Sequence, residues 1–64
     1  MTSRIHASFP NGSGAREAGL KLQALRILEL EENGDGASFT ATVEDELIDR
    51  ALHLIRDTGG TAQL

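Results

Sequence analysis

Between Ile27 and Val43 apolar and polar residues alternate on either side of a cluster of turn formers. In the run ILELEENGDGASFTATV, Leu28, Leu30, Phe39, Ala41 and Val43 fall on one face. Glu29, Glu31, Ser38, Thr40 and Thr42 fall on the other. A period of two with one apolar side predicts a β-hairpin lying half-buried on a core. Asn33-Gly34 is a strong hairpin signal, because a type I′ turn needs positive φ at both central residues. With that turn Leu30 faces Ala37; with Gly34-Asp35 as the turn, Leu30 faces Phe39. Both registers keep the apolar set together. A three-residue loop shifts the pairing by one and mixes the faces, so it is rejected.

After Val43 the apolar spacing changes to about 3.6 residues. Leu47, Ile48, Ala51, Leu52, Leu54 and Ile55 fall within roughly 160° of a helical wheel. Asp49, Arg50, His53, Arg56 and Asp57 lie opposite. Glu44, Asp45 and Glu46 sit in the expected first turn, where the helix dipole favours anions. Gly59-Gly60 supplies the stop. A helix over residues 44 to 57 is predicted.

Toward the N-terminus, Thr2 to Phe9 alternates, with Ile5, Ala7 and Phe9 on one side, and predicts a strand. Pro10-Asn11-Gly12-Ser13-Gly14 breaks it. Ala15 to Arg26 is rich in helix formers, and Ala15, Ala18, Leu22 and Leu25 share a face. Gly19 weakens this helix by roughly 1 kcal/mol relative to Ala. Leu20, Leu22 and Ala24 also alternate with Lys21 and Gln23, which leaves a β-β-β-α alternative with residues 20–32 as one strand. Leu25, Arg26 and Ile27 spoil that alternation. Thr61 to Leu64 is a candidate for a short fourth strand after the glycines.

The expected fold class is therefore α+β, with the order β-α-β-β-α-β of a ferredoxin-like domain. Two helices would cover one face of a four-stranded antiparallel sheet. In that topology the second and fourth strands are edges. Glutamates on the second discourage indiscriminate pairing, and the uncharged fourth is the more available edge for a dimer.

The stretch GASFTATVEDELIDRALHLIRDTGGTAQL resembles the second half of small regulatory domains of the ACT type. It is similar also to the domain at the C-terminus of methionine-importer ATPases. Those families pair an alternating strand, an acidic helix start, an Ala-Leu helix and a short last strand. Phe9-Pro10-Asn11-Gly12 resembles the ACT loop between first strand and first helix, with Asn11 where that loop often carries an acid. The resemblance implies a ferredoxin-like regulatory domain.

Composition narrows the functions. Sixty-four residues make one domain, and a chain this short hides only about 60% of its unfolded surface. Without cysteine it has no disulfide and no thiolate metal site, so self-association is the expected reinforcement. A net charge of −4 opposes non-specific nucleic-acid binding, which needs a basic surface. No apolar run approaches a membrane span, and the first residues lack a signal-peptide pattern. A cytoplasmic location is expected.

Candidate chemistry is sparse. Asn11, Gly12, Ser13, Gly14 and Arg16 form a glycine-containing segment entering a helix, with Ser13 as N-cap. Free N–H groups there suit an anion or an amino-acid carboxylate. The third glycine of a dinucleotide fingerprint is absent, since Glu17 stands in its place. His6 belongs on the open sheet face near Glu29 or Glu31, and His53 on the solvent side of the last helix, so the two do not meet. Asp49 and His53, four residues apart, form an expected surface contact. Glu29, Glu31, Glu32 and Asp35 do not have the spacing of a calcium loop and are expected as a solvated edge. No catalytic set, metal site or cofactor is expected. The function expected is a non-enzymatic regulatory or binding module that self-associates and takes a small anionic ligand or a partner protein. The alternative is an acidic interaction or inhibitor subunit with no small ligand.

Overall fold

A computed structural model describes residues 1–64. Its elements are β1 (Thr2–Ser8), α1 (Gly12–Ala24), β2 (Glu29–Glu32), β3 (Ser38–Glu44), a single 3-10 turn (Asp45–Leu47), α2 (Ile48–Asp57) and β4 (Thr61–Gln63). The strands form one antiparallel sheet in the order β2-β3-β1-β4. The fold is α+β, with four antiparallel strands and two helices. The alternative with residues 20–32 as one strand is overturned, because Gly12–Ala24 is helical and β2 begins only at Glu29. No helix is long and apolar enough to cross a membrane.

The alternation in β1 and β3 is expressed as burial. Ile5, Ala7, Phe9, Phe39, Ala41 and Val43 are buried with Ala15, Ala18 and Leu22 of α1 and with Ala51 and Ile55 of α2. One core therefore joins both helices to the same sheet face. Phe9 and Phe39 stack at its end, with ring centroids 5.6 Å apart. Five of these eleven residues are alanines, so the layers approach closely while hiding little apolar area per residue.

Both expected hairpin registers are corrected. Glu29 pairs with Thr42, Leu30 with Ala41 and Glu31 with Thr40, and the Asn33 N–H reaches the Ser38 carbonyl at 3.0 Å. Residues 34–37 form the loop, built on a turn in which the Gly36 N–H bonds the Asn33 carbonyl at 3.2 Å. Gly36, not Asn33 or Gly34, takes the positive φ, at 71°. Side chains favour this wider loop over a type I′ turn. Asp35 Oδ1 accepts from the Ala37 N–H at 3.0 Å and from Ser38 Oγ, and Asn33 Nδ2 donates to Ser38 Oγ at 2.8 Å. A four-residue loop preserves parity, so the faces stay as expected although the partners do not. One member is lost from the apolar face. Leu28 lies just before β2 and is 56% exposed.

Helix limits move as well. α1 starts three residues earlier than Ala15, and its N-cap is Asn11, not Ser13: Asn11 Oδ1 accepts from the Gly14 N–H at 3.1 Å. It ends at Ala24, with Arg26 in the left-handed region at φ 65° and its N–H on the Gln23 carbonyl. Gly19 is buried, and a Cβ there would lie 3.3 Å from Leu30 Cδ2. Its weak helix propensity therefore coincides with close packing against β2. The acidic start of the second helical segment is the 3-10 turn, with Asp45 and Glu46 in it. The stop is a Schellman motif: the Gly60 N–H bonds the Ile55 carbonyl, the Gly59 N–H bonds that of Arg56, and Gly59 has φ 91°.

Candidate functional site

Antiparallel pairing of β2 with β3 brings the hairpin loop beside the first turn of α1. The approach is close: a Cβ on Gly12 would stand 3.2 Å from the Gly36 carbonyl oxygen. Next to that contact lies a cleft of about 450 Å³. Gly12, Ser13 and Arg16 form its helical wall, and Glu32, Asp35 and Ser38 face them from the hairpin. Ala15, Leu30 and Phe39 supply its apolar part.

Of the five residues marked in the sequence, Gly12, Ser13 and Arg16 border this cleft. The other two face elsewhere. Asn11 spends its side-chain oxygen on the cap, and Gly14 abuts Phe9 and the Thr58 carbonyl. Asn11 satisfies only one of the first-turn donors. The N–H groups of Gly12 and Ser13 have no intrahelical acceptor, and the helix dipole adds partial positive charge there. Arg16 is exposed, with no carboxylate within 4 Å of its guanidinium.

Across the cleft, the N–H of Ala37 and then the hydroxyl of Ser38 hold the Asp35 carboxyl below the usual carboxylate range. Asp35 is thus an ionised, preoriented acceptor, and Glu32 is a second carboxylate on the same side. Glu32, Asp35 and Ser38 were not marked as site residues in the sequence. The available signal was topological: a β-hairpin after a β-α unit returns its loop to the level of the helix start.

The remaining polar candidates are dispersed. His6 Nδ1 and Thr40 Oγ1 share a hydrogen bond of 3.0 Å on the open sheet face, and no carboxylate lies within 4 Å of His6. His53 approaches Asp57 at 3.7 Å instead of the expected Asp49. No three His, Cys, Asp or Glu side chains converge to hold a metal ion. A second, wider hollow of about 510 Å³ runs between Lys21 of α1 and Leu25 just after it on one side and Asp49, His53 and Leu54 of α2 on the other.

Compared with known protein families, curated proteins and solved structures, the chain matches none of them.

Proposed function

We propose that this protein is a non-enzymatic binding module that takes a small anionic ligand in the cleft between α1 and the β2–β3 loop and associates with a second copy of itself. The observation that carries the proposal is the polarity of the two walls. Gly12 and Ser13 offer outward N–H groups beside Arg16, and Glu32 and Asp35 stand opposite. A carboxylate or phosphate group is stabilised on the first wall by the helix dipole and the guanidinium. An amine on the same ligand would meet the carboxylates of the second. Amino acids carry both groups. A ligand spanning the walls ties the start of α1 to the hairpin tip, and that ordering is the regulatory step.

The order β-α-β-β-α-β, with β1 and β3 central, supports a ferredoxin-like arrangement. The likeness of the last thirty residues to ACT-type domains points the same way. Self-association is supported by an incomplete edge. β4 pairs only with His6, Ala7 and Ser8, so Thr2 to Ile5 of β1 have no strand beside them on that side. Thr61, Ala62 and Gln63 are uncharged and leave the edge open to a second copy.

Thermal unfolding in the presence of amino acids, nucleotides and inorganic phosphate tests the cleft. A ligand well above its Kd raises Tm by about 5 °C or more, and Arg16→Ala removes the rise. No shift at millimolar concentration of any of them rejects the proposal. The mass in solution separately tests the second copy, expected at twice 6.8 kDa.

A further inference from the structure

The outer edge of β2 has a second kind of incompleteness. The strand is paired only with β3 and lies at the end of the sheet. The bond from the Asn33 N–H to the Ser38 carbonyl sets the phase of the ladder. In an antiparallel pair the main-chain groups of alternate residues point outward, so those of Leu30 and Glu32 face away from β3. The side chains along this edge are sorted by face. Glu29 and Glu31 stand exposed on the open side of the sheet. On the helix side Leu30 is half-buried, and Leu28, just before the strand, is 56% exposed. None of Glu29, Glu31 and Glu32 has a cationic partner within 4 Å.

We infer that the β2 edge is a docking strand for an extended segment of a partner protein in which basic and apolar residues alternate. Added as a fifth strand, such a segment bonds the outward main-chain groups of Leu30 and Glu32. Its Lys or Arg side chains lie beside Glu29 and Glu31, and its apolar side chains cover Leu30. A second copy of this chain does not fit here. Pairing two β2 strands antiparallel through Leu30 or Glu32 sets carboxylates of one copy against those of the other, which is destabilising. The edge shares Leu30 and Glu32 with the cleft wall, but the docking uses their outward main-chain groups together with Glu29 and Glu31, which lie outside the cleft.

A six-residue peptide alternating Lys and Val, with blocked ends, is the probe, and a Glu-Val peptide of the same length is the control. Titration followed by amide NMR is expected to show saturable binding that weakens between 0.05 and about 0.5 M salt, as screening of exposed charge requires. The shifts centre on residues 28–32, and the amides of Leu30 and Glu32 become protected from hydrogen exchange. The variant E29K/E31K, changed only at exposed positions, weakens binding about tenfold while leaving Tm within a few degrees. Equal binding of the Glu-Val peptide, shifts centred on β4 or on Gly12, Ser13 and Arg16 of the opposite cleft wall, or no binding at millimolar peptide each overturns the inference. An amino-acid response in Tm that persists in E29K/E31K separates this edge from the cleft.

Discussion

Two single residues carry backbone or packing constraints out of proportion to their size. Arg26 follows α1 in the left-handed region, where a side chain costs about 1 kcal/mol and glycine is the usual occupant. Arg26→Gly is therefore expected to raise stability by about 0.5–1 kcal/mol, read as an increased urea midpoint at unchanged slope. Gly60 is the opposite case. A Cβ at that position would fall 2.4 Å from Cε2 of Phe9, the ring that stacks on Phe39. Gly60→Ala should cost about 1–3 kcal/mol by displacing the ring, and a lowered Tm with altered Phe9 ring shifts checks it. Asp35 adds a pH effect of defined sign. Its carboxyl is lowered from an ordinary value of 3.8 by the Ala37 N–H and the Ser38 hydroxyl. The fold thus favours the ionised form. This contribution is complete above the unfolded value and is lost as pH falls through the lower folded one. An NMR titration should place the Asp35 midpoint below its ordinary value of 3.8, and Asp35→Asn should remove this part of the acid sensitivity.

At the scale of elements, α1 shows propensity yielding to packing. Gly19 reads as a defect in a helix, yet it lies buried against Leu30 of β2. The Leu30 side chain is half-buried and at the sheet edge, so its tip has room to give by a few tenths of an ångström. Gly19→Ala is expected to gain part of the roughly 1 kcal/mol of helix propensity, leaving a net stabilisation of a few tenths of a kcal/mol in thermal melts. The hairpin shows how far pattern reaches. Alternation specified which side of β3 is buried, and every even loop length preserves that assignment. Choosing among even loops fell to Asp35, Asn33 and Ser38, whose mutual hydrogen bonds hold the four-residue connection. The cleft follows from this choice, because a two-residue turn would leave different residues facing Gly12.

For the whole molecule, the balance is thin. An unfolded chain of this mass exposes roughly 9,900 Å², and folding reduces that to 4219 Å², hiding a little under three-fifths. Phe39 is among the largest fully buried side chains, and its removal costs about 3–5 kcal/mol. Phe39→Ala should therefore leave the chain largely unfolded at 25 °C, seen as lost amide dispersion, since a core of this size supplies about the same amount in total. The same thinness gives the two free edges their weight, as any strand added at β2 or β4 also stabilises the fold.

The order of elements, the buried faces of β1, β3 and α2, and the glycine stop after α2 were legible in the chain by itself, since each depends on the period of neighbouring residues and local turn chemistry. So was a glycine-containing segment leading into a helix with Arg16 in its first turn, although Gly12 and Ser13 proved to lie inside the helix. Tertiary structure alone decided the register of β2 against β3, the cap at Asn11, the exposure of Leu28 and the meeting of Arg16 with Glu32 and Asp35 around one cleft. Those features depend on how far one element slides past another, and that distance is set by side-chain bonds and close approaches between residues remote in sequence.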